Sequence, residues 1–400
     1  MRVLLCPLSD GGYLYPTLAV GRELGRRGHR VDVLGRASAA PVVAEAGLPF
    51  VAADDLGGRR AFSATWWGPT GLAQYRATVR AARAARADLL ITSVLCNGAL
   101  LAAEKLDLPV VVVGLAVHLW DYRSGGDGEP QLGRTRESRT HESRKLHAQV
   151  REEAGLSARA ARWADPLLGD ALLLRGDPAL EYPGAQLPAP VTHVGPLAWE
   201  PRADPAELAE IEGRLARSGK PVVYVHLGRA FGGASLWPRL NELFTGGRFQ
   251  AVVEQGRSAD PTPAPEADIL LVRKRWLGPL VDRAGLVLTN GTSAPVLGAL
   301  LRGRPLAISP NGSEQPLLSL ACERAGVAVR VPQDPGKTSA DPSAPVAATW
   351  RDVGLRTRAR ELGDRLASVD GAARAADTVE RVAQGIRDPE EFHGYTISRH

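Results

Sequence analysis

The chain has 400 residues, roughly twice what one domain usually needs, so two domains are the first expectation. With 44% hydrophobic and 23% charged residues, and with 43 glycines and 30 prolines in no three-residue period, wholesale disorder and a collagen-like chain are excluded. The net charge of +5 comes from 49 basic and 44 acidic residues interspersed along the chain, so no nucleic-acid-binding stripe is indicated and a mild preference for anionic ligands is the inference.

No apolar run approaches the ~18 residues of a membrane-spanning helix. The start, Met1 to Cys6, carries one basic residue and then strand-like residues, without the layout of a signal peptide. A soluble cytoplasmic protein is expected. Cys6, Cys96 and Cys322 are widely spaced and form no CxxC pair, so neither a disulfide framework nor a zinc site is indicated.

In chain order, apolar runs predict buried strands at Arg2–Cys6, Arg30–Gly35, Leu89–Ser93, Pro109–Gly114, Ala171–Leu174 and Val191–Gly195. Amphipathic or alanine-rich stretches between them, at Pro16–Gly28, Gly71–Ala87 and Asn97–Leu106, predict helices. The segment Asp121–Glu153, Gly-rich and then dense in Arg, Glu and His, reads as a surface loop leading into a solvated helix. Trp199–Pro205 reads as a Pro-rich linker. Strands then resume at Pro221–Gly228, Gln250–Gln255, Ile269–Lys274, Gly285–Asn290 and Pro305–Ser309, and a helical stretch at Trp350–Ile386 closes the chain. Alternation of strand and helix, with strands of Val, Ile and Leu, means parallel sheets covered on both faces. The fold expected is α/β, two doubly wound Rossmann-like domains facing a cleft.

Ligands of open parallel sheets bind beyond the carboxyl ends of the strands. That rule selects Ser9–Tyr13, Ser93–Asn97 and His118–Asp121 in the first half. In the second half it selects Gly228–Gly233, Trp276, Asn290–Ser293 and Asn311–Gln315. At Leu288 to Ser293 a strand ends, a glycine turns the chain and a helix opens, which exposes backbone N–H groups suited to phosphate oxygens. Taken alone, Thr292 and Ser293 are equally an ordinary helix cap.

The residues beyond extend the pattern: Asn290-Gly291, Ala299-Leu300, Gly303-Arg304-Pro305, Pro310 and Glu314-Gln315. This register resembles the donor-binding signature of the GT-B nucleotide-sugar glycosyltransferases, and is closest to bacterial members that decorate natural products. Trp276-Leu277-Gly278-Pro279 is similar to the family's base-stacking Trp-x-Pro. Gly12 to Pro16, with Leu24 through Gly28-His29-Arg30-Val31, resembles its N-terminal motifs. The resemblance spans nearly the whole chain. It implies an acceptor-binding domain at 1–198, a linker and first helix at 199–218, a donor-binding domain at 219–384, and a tail at 385–400 that packs back on the first domain.

The resemblance also assigns roles. Trp276 stacks on the nucleobase. Amides of Gly291, Thr292 and Ser293, opposite Gly228 and Arg229, hold the diphosphate. Glu314 and Gln315 hydrogen-bond the donor sugar. Each has an ordinary alternative: core packing for Trp276, a helix cap for Glu314 and Gln315, a solvated loop for Arg229. This chain also departs from the pattern. The family's diphosphate-contacting His is Asn290, its phosphate-contacting Ser or Thr is Pro295, and its ribose-binding Glu is Gly298, which favours a deoxyribonucleotide donor. Its general-base His is Tyr13 and the Asp orienting that His is Ser93, so the usual base mechanism does not carry over.

An acceptor hydroxyl must still lose a proton during attack. His118, Asp10 and Asp121 are candidate bases, His118 foremost for its ordinary pKa of ~6.5. A capped loop histidine and a turn aspartate remain their alternatives. Tyr13 suits a hydrogen-bond donor better than a base, and an acceptor already acidic needs less of a base. Gly12, Ser93, Trp66, Trp67 and Trp120 are candidates to shape an acceptor pocket, or for the tryptophans simply to pack.

The reading is an inverting, metal-independent transfer of a sugar from a UDP or dTDP donor to a small metabolite. The nucleotide sugar is a co-substrate and no cofactor or metal is expected. A homodimer stays open. The rivals are a non-catalytic binding relative and a nucleotide-sugar 2-epimerase.

Overall fold

The computed structural model describes residues 1–53, 60–64, 67–124, 133–156, 163, 165–226, 228, 237–255, 263–331 and 344–385. Two parallel sheets form from the apolar runs. The first half contains β1 (Arg2–Cys6), β2 (Arg30–Gly35), β3 (Phe50–Ala52), β4 (Leu89–Ser93), β5 (Val110–Val113), β6 (Arg123–Ser124), β7 (Ala171–Leu174), β8 (Ala185–Gln186) and β9 (Val191–His193). Seven of these make a sheet of order β3-β2-β1-β4-β5-β7-β9, all parallel, while β6 and β8 pair antiparallel.

The second half contains β10 (Val222–His226), β11 (Gln250–Glu254), β12 (Ile269–Val272), β13 (Leu286–Thr289), β14 (Leu306–Ile308) and β15 (Ala328–Arg330), in the parallel order β12-β11-β10-β13-β14-β15. The doubly wound architecture expected from the sequence is thus present twice. The short edge strands β3 and β15 and the two-residue strands β6 and β8 escaped the sequence reading.

Alternation across each sheet explains the runs of apolar residues. Leu4 and Cys6 enter one core layer while Val3 and Leu5 enter the opposite one, and Tyr224 is likewise divided from Val223 and Val225. Each such side chain, fully buried, contributes about 1.5–3 kcal/mol relative to exposure.

The helices of the first half are α1 (Gly11–Arg26), α2 (Ala40–Glu45), α3 (Gly71–Ala85), α4 (Asn97–Leu106) and α5 (Gly133–Glu153). α1 begins five residues before the expected Pro16, which sits inside the helix. α5 is not simply solvated: Arg136, Thr140, Ser143, His147 and Val150 are buried along one face. That stripe has the 3.6-residue period of a packed helix, written mostly in polar residues.

The linker is pinned. Trp199 meets Tyr15 edge to face at 5.7 Å, and the Glu200 carboxylate accepts hydrogen bonds of 2.9 Å from the Leu277 and Gly278 amides. Then follow α6 (Pro205–Ser218), α7 (Trp237–Phe244), α8 (Gly278–Arg283), α9 (Ser293–Leu300), α10 (Gln315–Arg324), α11 (Ala344–Arg351), α12 (Val353–Ala367) and α13 (Gly371–Ala383). Asp204 starts α6 by accepting from the Ala206 and Glu207 amides at 2.9 and 3.0 Å, with Pro205 in the first turn.

The expected closing helical stretch is divided at Ser368-Val369-Asp370, and α13 lies against the first half, not the second. Ala375, Ala376 and Val379 join the core layer of Val3 and Leu5. The Arg27 guanidinium donates to Asp377 at 2.6 Å and Glu380 at 2.8 Å, and His29 contacts Glu380 at 2.8 Å. Gly371 permits the crossing, since a Cβ there would lie 2.2 Å from the Pro196 carbonyl oxygen. The tail 385–400, expected to make this return, lies outside the described residues apart from Gly385. Among the described residues no helix is long and apolar enough to cross a membrane.

Candidate functional site

Strand order reverses beside the first strand of each sheet, between β1 and β4 and between β10 and β13. Chains leaving these strands diverge and open a crevice there. On the second sheet, β13 ends at Thr289 and the buried Asn290 follows. The Asn290 Oδ1 accepts from the Thr292 amide at 3.3 Å and the Thr292 hydroxyl at 3.2 Å. The Gly291 amide donates to the Thr289 hydroxyl at 3.2 Å, and the Ser293 amide donates to Glu314 Oε1 at 3.3 Å. Three successive amides at the positive end of α9 therefore rest on side-chain oxygens at long range, an arrangement that anion oxygens can replace.

Two glycines make this turn feasible. Gly291 has φ +88°, and a Cβ on it would meet Ile308 Cγ2 at 2.9 Å. Gly228, φ +75°, belongs to the arm leaving β10, and a Cβ there would lie 2.2 Å from Asn290 Nδ2. Only glycine lets the two arms approach this closely. Arg229, expected beside Gly228, lies outside the described residues.

Glu314 and Gln315 arrive by a loop in which Ser313 takes φ +55°. Glu314 is buried, with Oε2 accepting from the Ser313 hydroxyl at 2.7 Å. Gln315 is committed to its own loop: its Oε1 accepts from the Asn311 and Gly312 amides at 2.8 and 3.2 Å. Its Nε2 is buried without a partner among the described residues, so only the amide nitrogen remains for a ligand. Trp276, expected to offer its face to a nucleobase, is 5% exposed and packs in the core cluster of Leu280, Val287 and Leu297. Anchoring of the next two amides by Glu200 holds that backbone in place, so the core-packing alternative describes Trp276 here.

On the first sheet, Asp10 precedes α1 and accepts from the Ala64 amide at 2.6 Å. Gly12 faces open space. Tyr13 is half-buried, and burial pushes its phenol up, with the charges of Glu314 and Asp10 adding to the effect. The Ser93 hydroxyl accepts from the Leu8 amide at 3.0 Å, which ties the arm leaving β1 to the end of β4 and spends Ser93 on structure. Asp121 is partly exposed, 3.7 Å from the Arg144 guanidinium.

His118 lies elsewhere than expected. It is 0% exposed, sealed under α5, and among the described residues neither ring nitrogen has a partner. Burial pushes its imidazole down to about 3, with Arg136 and His193 contributing. Arg136 donates to the His118 carbonyl and stacks 4.8 Å over Tyr122. Here His118 does not reach the crevice. Trp120 is likewise buried, Trp67 packs against the core, and Trp66 lies outside the described residues.

The halves meet at this crevice. The Ala116 amide, just past β5, donates to the Ser293 hydroxyl at 3.1 Å. Arg139, on α5, donates to the Ser313 carbonyl at 2.5 Å, while its Nη1 is buried without a partner among the described residues. Arg324 on α10 donates to the Leu180 carbonyl at 3.1 Å.

One residue missed by the sequence reading stands beside these contacts. Arg175 follows β7 and is 3% exposed. Its amide donates to the Leu115 carbonyl at 2.8 Å and its Nε to the Gly114 carbonyl at 2.9 Å, so it braces the loop carrying Ala116. Glu314 and Tyr13 are its electrostatic neighbours, and burial still pulls the guanidinium down to about 10. The strand-end rule applied to β7 would have found it.

The sequence matches no protein-family model. It is 23% identical over 172 residues to the NDP-glycosyltransferase YjiC of Bacillus subtilis (strain 168), a stretch covering 42% of this chain and 43% of that relative. Solved structures are similar over nearly the full length. The glycotransferase of kitacinnamycin has a TM-score of 0.72 at 21% identity, covering 95% of this chain and 98% of that one. For the calicheamicin glycosyltransferase CalG4 the values are 0.68, 19%, 96% and 98%. For glycosyltransferase VinC in complex with dTDP they are 0.67, 16%, 96% and 100%. Two doubly wound sheets, opposed at their switch points and superimposing on these structures from end to end, give this chain the GT-B fold.

Proposed function

We propose that the protein is an inverting glycosyltransferase, moving a sugar from a UDP or dTDP donor onto a small natural-product acceptor without a metal, in the cytoplasm. The observation that carries the reading is the head of α9. The Gly291, Thr292 and Ser293 amides leading into it rest on long hydrogen bonds beside Gly228, across the crevice from the arms leaving β1, β5 and β7. A diphosphate fits such amides because the helix dipole and unshared N–H groups favour its charge. Glu314, already at the Ser293 amide, is within reach of a sugar attached to that diphosphate. Support also comes from VinC, a structure of this fold solved with dTDP. The leaving diphosphate gains its electrostatic help from the α9 amides, and closure of the two halves excludes water.

A non-catalytic binding protein is the second reading, favoured by one observation: Tyr13 holds its proton and Ser93 is engaged with Leu8, so the family's base dyad is missing. Calorimetry with UDP and dTDP, followed by incubation with nucleotide sugars and an acceptor panel, separates the readings. Acceptor-dependent release of nucleoside diphosphate supports the transferase. Binding without turnover supports the second reading, isomerised donor an epimerase, and absence of nucleotide binding removes the proposal.

A further inference from the structure

Arg175 poses a question that donor binding at α9 leaves unanswered. Arg175 as a residue is 3% exposed, and among the described residues its side chain makes one hydrogen bond, from Nε to the Gly114 carbonyl, which leaves the terminal nitrogens available to a ligand. Glu314 is an electrostatic neighbour, yet no ion pair joins them, and the Glu314 oxygens are spent on the Ser293 amide and the Ser313 hydroxyl. A buried cation in this state is costly unless an anion completes it. Arg139 reaches the Ser313 carbonyl beside Glu314 and adds a second positive charge, with its Nη1 buried and unpartnered among the described residues.

The geometry limits what that anion is. The diphosphate site of the proposed function lies on the second half, at the α9 head. Arg175 projects from the first half, beside Tyr13, which occupies the position where the acceptor is activated in the family that this sequence resembles. Each of the groups expected to serve as base is engaged or enclosed here. Tyr13 keeps its proton, Ser93 accepts from Leu8, His118 is sealed away, Asp10 is engaged by the Ala64 amide and Asp121 faces Arg144. An acceptor that arrives without a proton to lose meets both conditions at once.

We propose that the acceptor is a carboxylic acid, held through its carboxylate by Arg175 and glycosylated on that carboxylate oxygen. This inference rests on the donor reading above. The step balances without a base: a carboxylate oxygen attacks the anomeric carbon, the bond from that carbon to the diphosphate oxygen breaks, and its electron pair leaves with the nucleoside diphosphate. The product is a sugar ester of inverted configuration. A carboxylic acid, with pKa near ~4, is fully ionised at neutral pH. A guanidinium matches it with two parallel hydrogen bonds.

The test uses the full chain, UDP- and dTDP-glucose, and two matched probe pairs: benzoate with benzyl alcohol, and 2-naphthoate with 2-naphthalenemethanol. Expected are nucleoside diphosphate release at least about tenfold faster with the carboxylates, products cleaved by hydroxylamine as esters are, and a rate flat from about pH 6 to pH 9. Arg175→Gln lowers the carboxylate rate by about 100-fold or more with UDP affinity within about threefold of the parent, and Arg175→Lys, which keeps the charge, regains part of the loss.

Faster transfer to the alcohols, giving hydroxylamine-stable products, overturns the inference and leaves the glycosyltransferase reading standing. A tenfold or greater loss of UDP affinity in R175Q, with the carboxylate preference unchanged, assigns Arg175 to the donor and also overturns it, about 1.4 kcal/mol being the scale of that change. If neither probe pair is turned over, equilibrium binding in the presence of UDP decides: a carboxylate preference lost in R175Q sustains the inference and equal binding overturns it. Absence of UDP and dTDP binding removes the donor reading itself.

Discussion

The Ser293 hydroxyl accepts a 3.1 Å hydrogen bond from the Ala116 amide, and this contact joins the anion-binding head of α9 to the opposite half of the molecule. Both residues are buried, so neither group has water as a substitute. Closure of the crevice and readiness of the α9 turn are thereby linked. Ser293→Ala leaves the Ala116 N–H unpaired and disfavours the closed form by about 1–3 kcal/mol. Small-angle scattering should show a larger radius of gyration in the variant, and an unchanged scattering curve would refute the link.

Glu314 contributes a negative charge at the Ser293 amide, where a phosphate oxygen is proposed to bind. Removing that charge relieves repulsion toward a nucleoside diphosphate that carries no sugar. Glu314→Gln should therefore bind UDP tighter, by about fivefold or roughly 1 kcal/mol, while turning over nucleotide sugars more slowly. Calorimetry and a turnover assay on the same preparation check both halves; weaker UDP binding would show that Glu314 does not compete at that amide.

Gly228 and Asn290 test the approach of the two arms. Gly228→Ala places a Cβ 2.2 Å from Asn290 Nδ2 in a backbone of φ +75°. Stability should fall by about 1–3 kcal/mol and nucleotide affinity with it. Adding Asn290→Gly removes the clash but not the strained φ, so the double variant should recover part of the stability by thermal melt. Strict additivity of the two losses would mean that the clash is absent in solution.

Acid should destabilise the protein through its sealed histidines. Burial pushes His118 from 6.5 down to about 3 and His147 from 6.5 down to about 4. The unfolded chain takes up protons that the folded chain refuses, so their contribution is complete above about pH 6.5 and is lost as pH falls below it. The slope approaches about 1.4 kcal/mol per pH unit for each histidine until its folded value is reached. Urea titrations between about pH 4 and pH 7 should show this slope, reduced by one histidine's share in His118→Leu; an identical slope in that variant would place the uptake elsewhere.

The two-sheet plan was legible because long Val-, Leu- and Ile-rich strands carry their own signal, and Asn290 to Ser293 was legible because a glycine between strand and helix leaves few local conformations. Residues whose role depends on what lies across the crevice carried no such signal. Trp276 looked like a stacking platform until the core enclosed it, and His118 like a base until α5 covered it. The packed face of α5 was hidden because its buried stripe is Arg136, Thr140, Ser143 and His147, and polar residues reveal burial only once partners are in place. α13 belongs with the first half through Arg27, Asp377 and Glu380, a pairing some 350 positions apart that no local pattern encodes. Local propensity determined strands, turns and the α9 head from the chain alone. Tertiary packing decided which charges lost water, and it was that desolvation that singled out Arg175.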